Sequence, residues 1–272
     1  PAYLARLAAG LHPVCGSPRP DTDLMSGFSA DWLALREPAD AVARNRELTA
    51  RLIDWRQQHG ALSVLDLGSG TGANYRFLAP LLGGEQHWRL VDHDPALLAE
   101  IDRCGDSPGE TACLDLAGSW QVLEKPVDLV TASALLDLVS MDWLERLARH
   151  SQVWRAAIFM ALTYDGTIRW QPALAGDDRV RDAVNRHQRT DKGFGPALGP
   201  YAAPMLAALL AKQGYDVALR PGPWRLRPEH AALQTALLIG WAAAVQKVTA
   251  EPADQDQLAA WVDQRRHLIE QG

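Results

Sequence analysis

The fold of this 272-residue chain is decided by one stretch, Val64-Leu-Asp-Leu-Gly-Ser-Gly-Thr-Gly-Ala73. An apolar run, Ser63 to Leu67, ends here in three alternating glycines, Gly68, Gly70 and Gly72. A short apolar run of this kind is typical of a buried parallel strand. Glycines let the backbone turn tightly and approach a ligand closely. The stretch therefore predicts the first strand of an α/β unit, then a ligand-binding loop and a helix.

Strands and helices alternate after this stretch. The predicted strands are Ser63–Leu67, Trp88–Val91, Thr111–Leu114, Val127–Ala132 and Ala156–Thr163, and the predicted helices among them are Asn74–Leu82, Pro95–Arg103 and Met141–His150. This alternation is typical of a doubly wound, mostly parallel sheet with helices on both faces. We therefore expect an α/β fold over residues 61–272.

The regions on either side differ from this core. Residues 1–60 are predicted to form an N-terminal helical cap. Residues 164–200 are predicted to form a polar lid inserted after the fifth strand, with Thr167–Trp170 as the second arm of a hairpin. Tyr215–Leu219 is predicted as a sixth strand, and the chain then ends in helices over Ala231–Thr249 and Asp254–Gln271.

Composition and charge favour a globular cytoplasmic protein. The net charge is −6, and an acidic chain argues against nucleic acid as a partner. The three cysteines form no CxxC pair, and no metal-ligand spacing is present, so no zinc or disulfide framework is predicted. No signal pattern is visible, and no apolar run reaches the roughly 18 residues of a membrane span. We expect no membrane partner, and the sequence leaves the oligomeric state open.

Three kinds of ligand site compete for the glycine loop. A dinucleotide site needs Gly-x-Gly-x-x-Gly/Ala, which Gly68, Gly70 and Ala73 satisfy loosely. A phosphate loop needs Gly-Lys-Ser/Thr, which is absent. The third pattern is an acidic residue two positions before Gly-x-Gly-x-Gly, which Asp66 supplies. On these residues the sequence resembles the class I, Rossmann-like, S-adenosylmethionine-dependent methyltransferases, well over residues 61–165 and elsewhere only in element order.

The resemblance implies S-adenosylmethionine as the cofactor and assigns residues to it. Asp92, at the end of the second strand, would accept hydrogen bonds from the ribose hydroxyls. Asp115 and Leu116 would contact the adenine edge and His93 its face. Arg36 and Arg44 would pair with the methionine carboxylate, or form a solvated helix face with Glu37 and Asp40. The remaining predicted cofactor contacts are Asp66, Gly68, Ser69, Gly70, Gly72, Asn74 and Ser133. Asp66 could instead only order the glycine loop, and Asn74 could instead cap the helix that follows.

The resemblance also bears on the acceptor. Enzymes that methylate planar amino groups resemble one another in Asn/Asp-Pro-Pro-Tyr/Phe after the fourth strand, and Ser133-Ala-Leu-Leu replaces it here. A small-molecule acceptor is therefore predicted, with an O, N or S nucleophile. His187 is the candidate general base because its ordinary pKa lies near neutrality. The other catalytic candidates are Tyr164 and Asp137, and the candidate substrate contacts are Trp32, Trp170, Asn185, Gln188, Asp191 and Phe194.

Two further interpretations remain open at this stage. The chain could be a non-catalytic S-adenosylmethionine-binding protein or partner subunit, or a nicotinamide-dependent oxidoreductase. Sheets of this class also end in an antiparallel seventh strand, which is not visible here. We expect either that Trp224–Arg227 continues a terminal hairpin or, slightly favoured, that the chain stops before that strand.

Overall fold

The structure, a computed structural model, describes residues 28–103, 105, 109–118, 125–249 and 252–272. Most of the first half of the predicted cap lies outside the described residues. The described part of the cap consists of two helices, α1 (Ala30–Ala43) and α2 (Arg46–Arg56).

Five parallel strands form the central sheet. They are β1 (Leu62–Leu67), β2 (Gln86–Asp92), β3 (Gly109–Cys113), β4 (Leu129–Ser133) and β5 (Ala157–Ala161), in the order β3-β2-β1-β4-β5. The predicted doubly wound parallel sheet is confirmed. The chain runs outward from β1 to β3 and returns to β4 on the other side of β1. The switch point of the sheet, where ligands of such folds bind, therefore lies between the carboxyl ends of β1 and β4.

Helices cover both faces because each strand alternates its side chains between two hydrophobic clusters. Leu65 and Leu67 belong to one cluster, with α5 (Met141–Trp154) and α7 (Ala202–Lys212). Leu62 and Val64 belong to the other, with α2, α3 (Ala73–Leu82) and α4 (Pro95–Arg103). Continuous apolar strands of this kind are expected for a sheet covered on both faces.

A third cluster lies among the helices of the C-terminal region. It is built from α6 (Asp177–His187), α8 (Ala231–Val248) and α9 (Pro252–Gln271). The stretch Pro228–Val248, which includes α8, is long and apolar enough by length and composition to cross a membrane, and 22% of its most apolar window is buried. Core helices pass the same test, and α8 contributes Leu238 and Val245 to this cluster.

Two predicted strands differ from the structure. Neither Thr167–Trp170 nor Tyr215–Leu219 is a β-strand, and both segments are extended or irregular. Tyr215 and Val217 do pack against the cluster that contains β5, which explains the apolar pattern. A strand also needs a hydrogen-bonded neighbour, and no described residue forms a ladder beside β5 on its outer side. Apolar periodicity in a sequence indicates that a segment packs against the core. It does not indicate that the segment forms hydrogen bonds with a neighbouring strand.

Candidate cofactor and active site

The loop between β1 and α3 is a tight turn at the switch point. Gly68, Gly70 and Gly72 have φ values of 64°, 52° and 84°, a left-handed backbone that side chains rarely adopt. A Cβ on Gly70 would lie 2.9 Å from Cδ1 of Leu33 on α1. The glycines therefore allow α1 to lie directly over the loop.

Asp92 supports this loop from the end of β2. Its Oδ2 accepts the N–H of Gly70 at 2.8 Å, and its Oδ1 accepts the N–H of Asp94 at 3.0 Å. Burial opposes ionisation, but the hydrogen bonds from His93, Asp94 and Gly70 outweigh it, so the pKa of Asp92 lies below its usual range. The carboxylate therefore fixes the loop, with its partner His93 largely exposed beside it.

The predicted adenine contacts lie next to Asp92. The N–H of Leu114 donates to the carbonyl of Asp92 at 2.8 Å, which brings the ends of β2 and β3 together. Asp115 is exposed, and its Oδ1 accepts the N–H of Ala117 at 2.8 Å. Leu116 is buried, and its carbonyl accepts from Nε1 of Trp143 at 3.0 Å.

Asp66 and Asn74 form a buried polar pair below the glycine loop. Asn74 Nδ2 donates to Asp66 Oδ1 at 2.7 Å and to Thr131 Oγ1 on β4 at 3.1 Å. Asp66 Oδ2 and Asn74 Oδ1 are buried and have no hydrogen-bond partner among the described residues. Burial raises the pKa of Asp66 to about 7, although the hydrogen bond from Asn74 and the charge of Arg44 act against it. Two buried acceptor atoms are thus left for a ligand.

Arg44 is the complementary donor. It follows the last residue of α1, is 7% exposed, and has its guanidinium carbon 4.5 Å from the centre of the Phe77 ring. Its Nη2 donates to Ser133 Oγ at 3.3 Å, while Nε and Nη1 have no partner among the described residues. Burial lowers the pKa of Arg44, and the nearby charges of Asp66 and Asp40 counteract this.

A cavity of about 230 Å³ lies at this guanidinium. Residues of α1, of the first turns of α3 and of the end of β4 line it: Glu37, Asp40, Ala41, Arg44, Ala73, Arg76, Phe77 and Ser133. Glu37 and Arg76 form a two-point ion pair, at 2.9 and 2.6 Å, that joins α1 to α3. The cavity therefore lies between α1, α3 and the end of β4, with the Arg44 guanidinium in its wall.

Arg36 behaves differently from Arg44. Its Nε and Nη2 donate to the two oxygens of Asp40 at 2.8 and 3.1 Å. Its guanidinium carbon lies 4.9 Å from the centre of the Trp224 ring and 5.9 Å from that of Trp32. Arg36 thus pairs with Asp40, but the pair is largely buried rather than a solvated helix face, with side chains 12% and 13% exposed. Of the two arginines, Arg44 is the one with unused donors.

Three of the predicted acceptor-side residues are brought together. Asp137 Oδ1 accepts the N–H of Tyr164 at 3.3 Å, and the Tyr164 hydroxyl donates to Asn185 Oδ1 at 2.6 Å. Burial raises the pKa of Asp137. Burial, reinforced by Asp165 and Asp137, also raises the pKa of Tyr164, so its hydroxyl stays protonated. These contacts tie the ends of β4 and β5 to α6.

The other predicted substrate contacts lie in separate places. Trp170 packs in the C-terminal cluster, with its ring centre 5.3 Å from that of Trp241 and 5.4 Å from that of Trp261. Phe194 packs edge-on against Trp143 at 6.1 Å. Asp191 accepts the N–H groups of Gly193 and Gly195.

The predicted base and its neighbour lie at the end of α6. The His187 ring nitrogens are 3.3 and 3.4 Å from Nζ of Lys192, and Gln188 caps the helix. Nothing in these contacts assigns a reacting partner to His187, and its role stays a prediction.

Three residues of the site were missed by sequence reasoning, namely Thr131, Arg76 and Phe77. Thr131 accepts from Asn74, Arg76 bonds α1 to the loop through Glu37 and the Thr71 carbonyl, and Phe77 supports Arg44. The spacing of Asn74 and Phe77, three residues apart on one helix, puts both on one face and could have identified Phe77.

Comparison with known proteins agrees with this fold. No family model and no curated protein matches the chain. Among solved structures, a cyclopropane-fatty-acyl-phospholipid synthase-like protein from Lactobacillus casei ATCC 334 is similar over 89% of both chains, with 13% identity and a TM-score of 0.52. The cyclopropane synthase MmaA2 from Mycobacterium tuberculosis also covers 89% of both chains, with 16% identity and a TM-score of 0.47.

A third neighbour, DhpI, solved as a complex with SAM and HEP, is 21% identical with a TM-score of 0.33. The match covers 50% of this chain and 64% of DhpI, less than two thirds of that protein. At these identities the likeness concerns the fold. The strand order and the likeness to the Lactobacillus casei protein together show that the chain has a Rossmann-like α/β fold.

Proposed function

We propose that this chain binds S-adenosylmethionine at the carboxyl edge of its sheet and transfers the methyl group to a small-molecule acceptor. One observation carries the proposal. Two buried acceptors, Asp66 Oδ2 and Asn74 Oδ1, and two buried donors on Arg44 lack partners among the described residues, and each charge shifts the pKa of the other. An α-amino acid carries an ammonium for the first set and a carboxylate for the second.

The same atoms argue against a dinucleotide. A pyrophosphate is an anion with no hydrogen-bond donor, and it would place negative charge near the buried carboxyl of Asp66. It could pair with Arg44, but it would leave Asp66 Oδ2 and Asn74 Oδ1 unsatisfied. The methionine part of S-adenosylmethionine satisfies both halves of the site, and the adenosine part has Asp92 and Asp115 at the neighbouring strand ends.

The chemistry asks the protein chiefly for positioning. When bound, the cofactor supplies an electrophilic sulfonium methyl, which bonds to a lone pair of the acceptor while the carbon–sulfur electron pair returns to sulfur. Arg44, Asp66 and Asn74 would hold the amino-acid end, and Asp92 would hold the ribose. Leu33 on α1 lies against the loop, where it would help to exclude water from the bound cofactor. Asp137, with its raised pKa, is the buried carboxyl at the end of β4 that could accept the acceptor's proton.

Calorimetric titration tests the cofactor. We expect the protein to bind S-adenosylmethionine and its demethylated product S-adenosylhomocysteine, and not NAD. Binding of NAD alone would replace the proposal with an oxidoreductase. Binding of S-adenosylmethionine without transfer to any of a broad panel of O, N and S acceptors would favour the non-catalytic alternative.

A variant tests the amino-acid end. Arg44→Met should weaken S-adenosylhomocysteine binding by about a hundredfold, because two charge-assisted hydrogen bonds of about 1.5 kcal/mol each are lost. It should leave 5′-methylthioadenosine, which lacks the amino-acid part, unaffected. Arg46→Met is the matched control, since Arg46 is exposed and does not line the cavity at Arg44. Equal weakening of both ligands would remove Arg44 from the ligand site.

A further inference from the structure

An extended segment of the C-terminal region, residues 215–227, runs along the helical cap, and we call it the strap. Polar contacts to α1 and α2 fasten it along its length. Arg51 pairs with Asp216 at 2.9 Å, Glu47 pairs with Arg220 through both oxygens, and Trp224 Nε1 donates to Asp40 at 2.9 Å. The strap forms no strand of the sheet, so these side-chain contacts, rather than a ladder, define its course.

The closest approach of the strap is to the turn that carries Arg44. Asn45 Nδ2 donates to the carbonyl of Pro221 at 3.0 Å. A Cβ on Gly222 would lie 2.6 Å from the carbonyl oxygen of Ala43, a distance that real Cβ atoms do not show. The φ of Gly222 is outside the left-handed region, so the requirement for glycine comes from this contact alone. The residues on both sides of Arg44 are therefore in contact with the strap.

We propose that the strap, through Gly222 and Asn45, positions Arg44 for the carboxylate of the bound ligand. The inference rests on the proposed function. Arg44 reaches the cavity from the connection between α1 and α2, and among the described residues its long side chain is oriented by the Phe77 ring and by one hydrogen bond, at 3.3 Å. The place of its guanidinium therefore depends on the backbone at Ala43 and Asn45. Gly222 and Asn45 are positioning residues, and Arg44 is the residue that touches the ligand.

The first test adds one methyl group to the strap. Gly222→Ala should push the Ala43 carbonyl away and weaken S-adenosylhomocysteine binding about tenfold, the size of one displaced charge-assisted hydrogen bond. Binding of 5′-methylthioadenosine should change less than about twofold, which is within the scatter of such measurements. Gly60→Ala is the matched control, because Gly60 has no left-handed backbone and a Cβ there meets nothing within 4 Å.

A second variant keeps the proposal testable if Gly222→Ala does not fold. Asn45 caps α2 by accepting the N–H of Leu48, and Asp caps equally well. Asn45→Asp therefore keeps the cap and replaces the donor to Pro221 with an acceptor. We expect the same selective loss of S-adenosylhomocysteine binding, and Asn45→Ser, which also caps, should give a smaller loss.

The double variant decides between positioning and general stability. If the strap acts through Arg44, Gly222→Ala should cause no further loss of S-adenosylhomocysteine binding in the Arg44→Met protein. An equal effect of Gly222→Ala on both ligands, or an undiminished effect in the Arg44→Met protein, would overturn the proposal while leaving the cofactor assignment intact. Failure of the wild-type protein to bind S-adenosylhomocysteine would overturn the proposed function itself.

Discussion

Three arginines are buried among the described residues, and two of them invite comparison: Arg44 at the carboxyl edge of the sheet and Arg265 in the C-terminal helical cluster. Arg44 is 7% exposed and Arg265 is 4% exposed, and both guanidinium groups lie against aromatic rings. Arg265 donates to both oxygens of Asp177 at 2.5 and 2.6 Å and to the Pro172 carbonyl at 2.8 Å. Arg44 has one hydrogen-bond partner in the described part of the chain, the Ser133 hydroxyl, at 3.3 Å.

The difference lies in the unused donors. Arg265 leaves Nε without a partner among the described residues, whereas Arg44 leaves both Nε and Nη1. A buried guanidinium with its own carboxylate is a structural element, because its charge is already compensated. A buried guanidinium without one is costly in the empty protein and is compensated when a carboxylate ligand arrives. The two sites therefore predict opposite responses to substitution.

The largest effect on stability is expected for the buried ion pair of Arg265 and Asp177. Asp177→Ala leaves Arg265 buried without its carboxylate, so the free energy of unfolding should fall by about 3–5 kcal/mol, as for other broken buried pairs. Urea denaturation measures it. Asp178→Ala is the control, because the neighbouring Asp178 side chain is 85% exposed. Similar losses in the two variants would end the contrast between Arg265 and Arg44.

The second effect concerns pH and the buried carboxyl group of Asp66. The pKa of Asp66 is about 7 in the folded protein and 3.8 ordinarily, so between these values the folded form holds a proton that the unfolded form has released. The free energy of unfolding should therefore fall as pH rises from about 5 to 7.5, by about 2 kcal/mol. Urea denaturation of wild-type and Asp66→Asn proteins at several pH values isolates this slope.

Asp66→Asn removes the titrating group and keeps the shape of the side chain. The free energy of unfolding of this variant should therefore fall less steeply with pH. The raised pKa of His93 adds a fall in the same direction, which both proteins share. Identical slopes in the two proteins would show that Asp66 is ionised in the empty site.

A smaller effect, of opposite sign to the first, is expected at Arg44. Replacing an uncompensated buried charge with an apolar side chain of similar length removes a desolvation cost, so Arg44→Met should raise the free energy of unfolding by about 1 kcal/mol. Denaturation of the ligand-free protein measures it. A loss of stability comparable to that of Asp177→Ala would mean that Arg44 is a structural residue.

The smallest effect on stability is expected for the exposed ion pair between Arg220 of the strap and Glu47 of α2. The side chains of Arg220 and Glu47 are 41% and 54% exposed, and exposed pairs contribute little. Arg220→Ala should leave the free energy of unfolding unchanged within error at high salt, where screening removes what remains of the attraction. A clear loss at high salt would show that Arg220 stabilises the fold through contacts that salt does not screen, contrary to this expectation.

The parts of the fold that sequence predicted are local. The strand, glycine loop and helix at residues 62–82 follow from neighbouring residue types. Asp66 and Asn74 belong to the same stretch, and their contact with a cofactor stays a prediction. The local sequence does not show which of Arg36 and Arg44 pairs with Asp40. Asp40 lies four residues from each arginine on one helix, so spacing allows either pair. Trp224, from far along the chain, bonds Asp40 and stacks on Arg36, and this contact distinguishes them.

The C-terminal region was predicted less well for the same physical reason. Trp170 was assigned to the substrate because it lies in the predicted lid, but its partners Trp241 and Trp261 come from α8 and α9. The contact between Gly222 and Ala43 forms where the backbone of the strap passes close to the end of α1. No pattern of residue types in the sequence indicates such a contact. The contacts of aromatic and glycine residues can therefore be predicted only when the positions of the helices and segments that they join are known.

The strap has one more consequence, for aggregation. Open edges of sheets are where folded chains join by mistake, because their N–H and C=O groups are free to pair. β5 is such an edge among the described strands, and the Tyr215 hydroxyl, at the start of the strap, donates to the Ala156 carbonyl beside it. Tyr215 and Val217 also cover apolar side chains of the same cluster. A substitution that detaches the strap would therefore expose the edge of β5 to self-association. It would also leave Arg44 less well positioned.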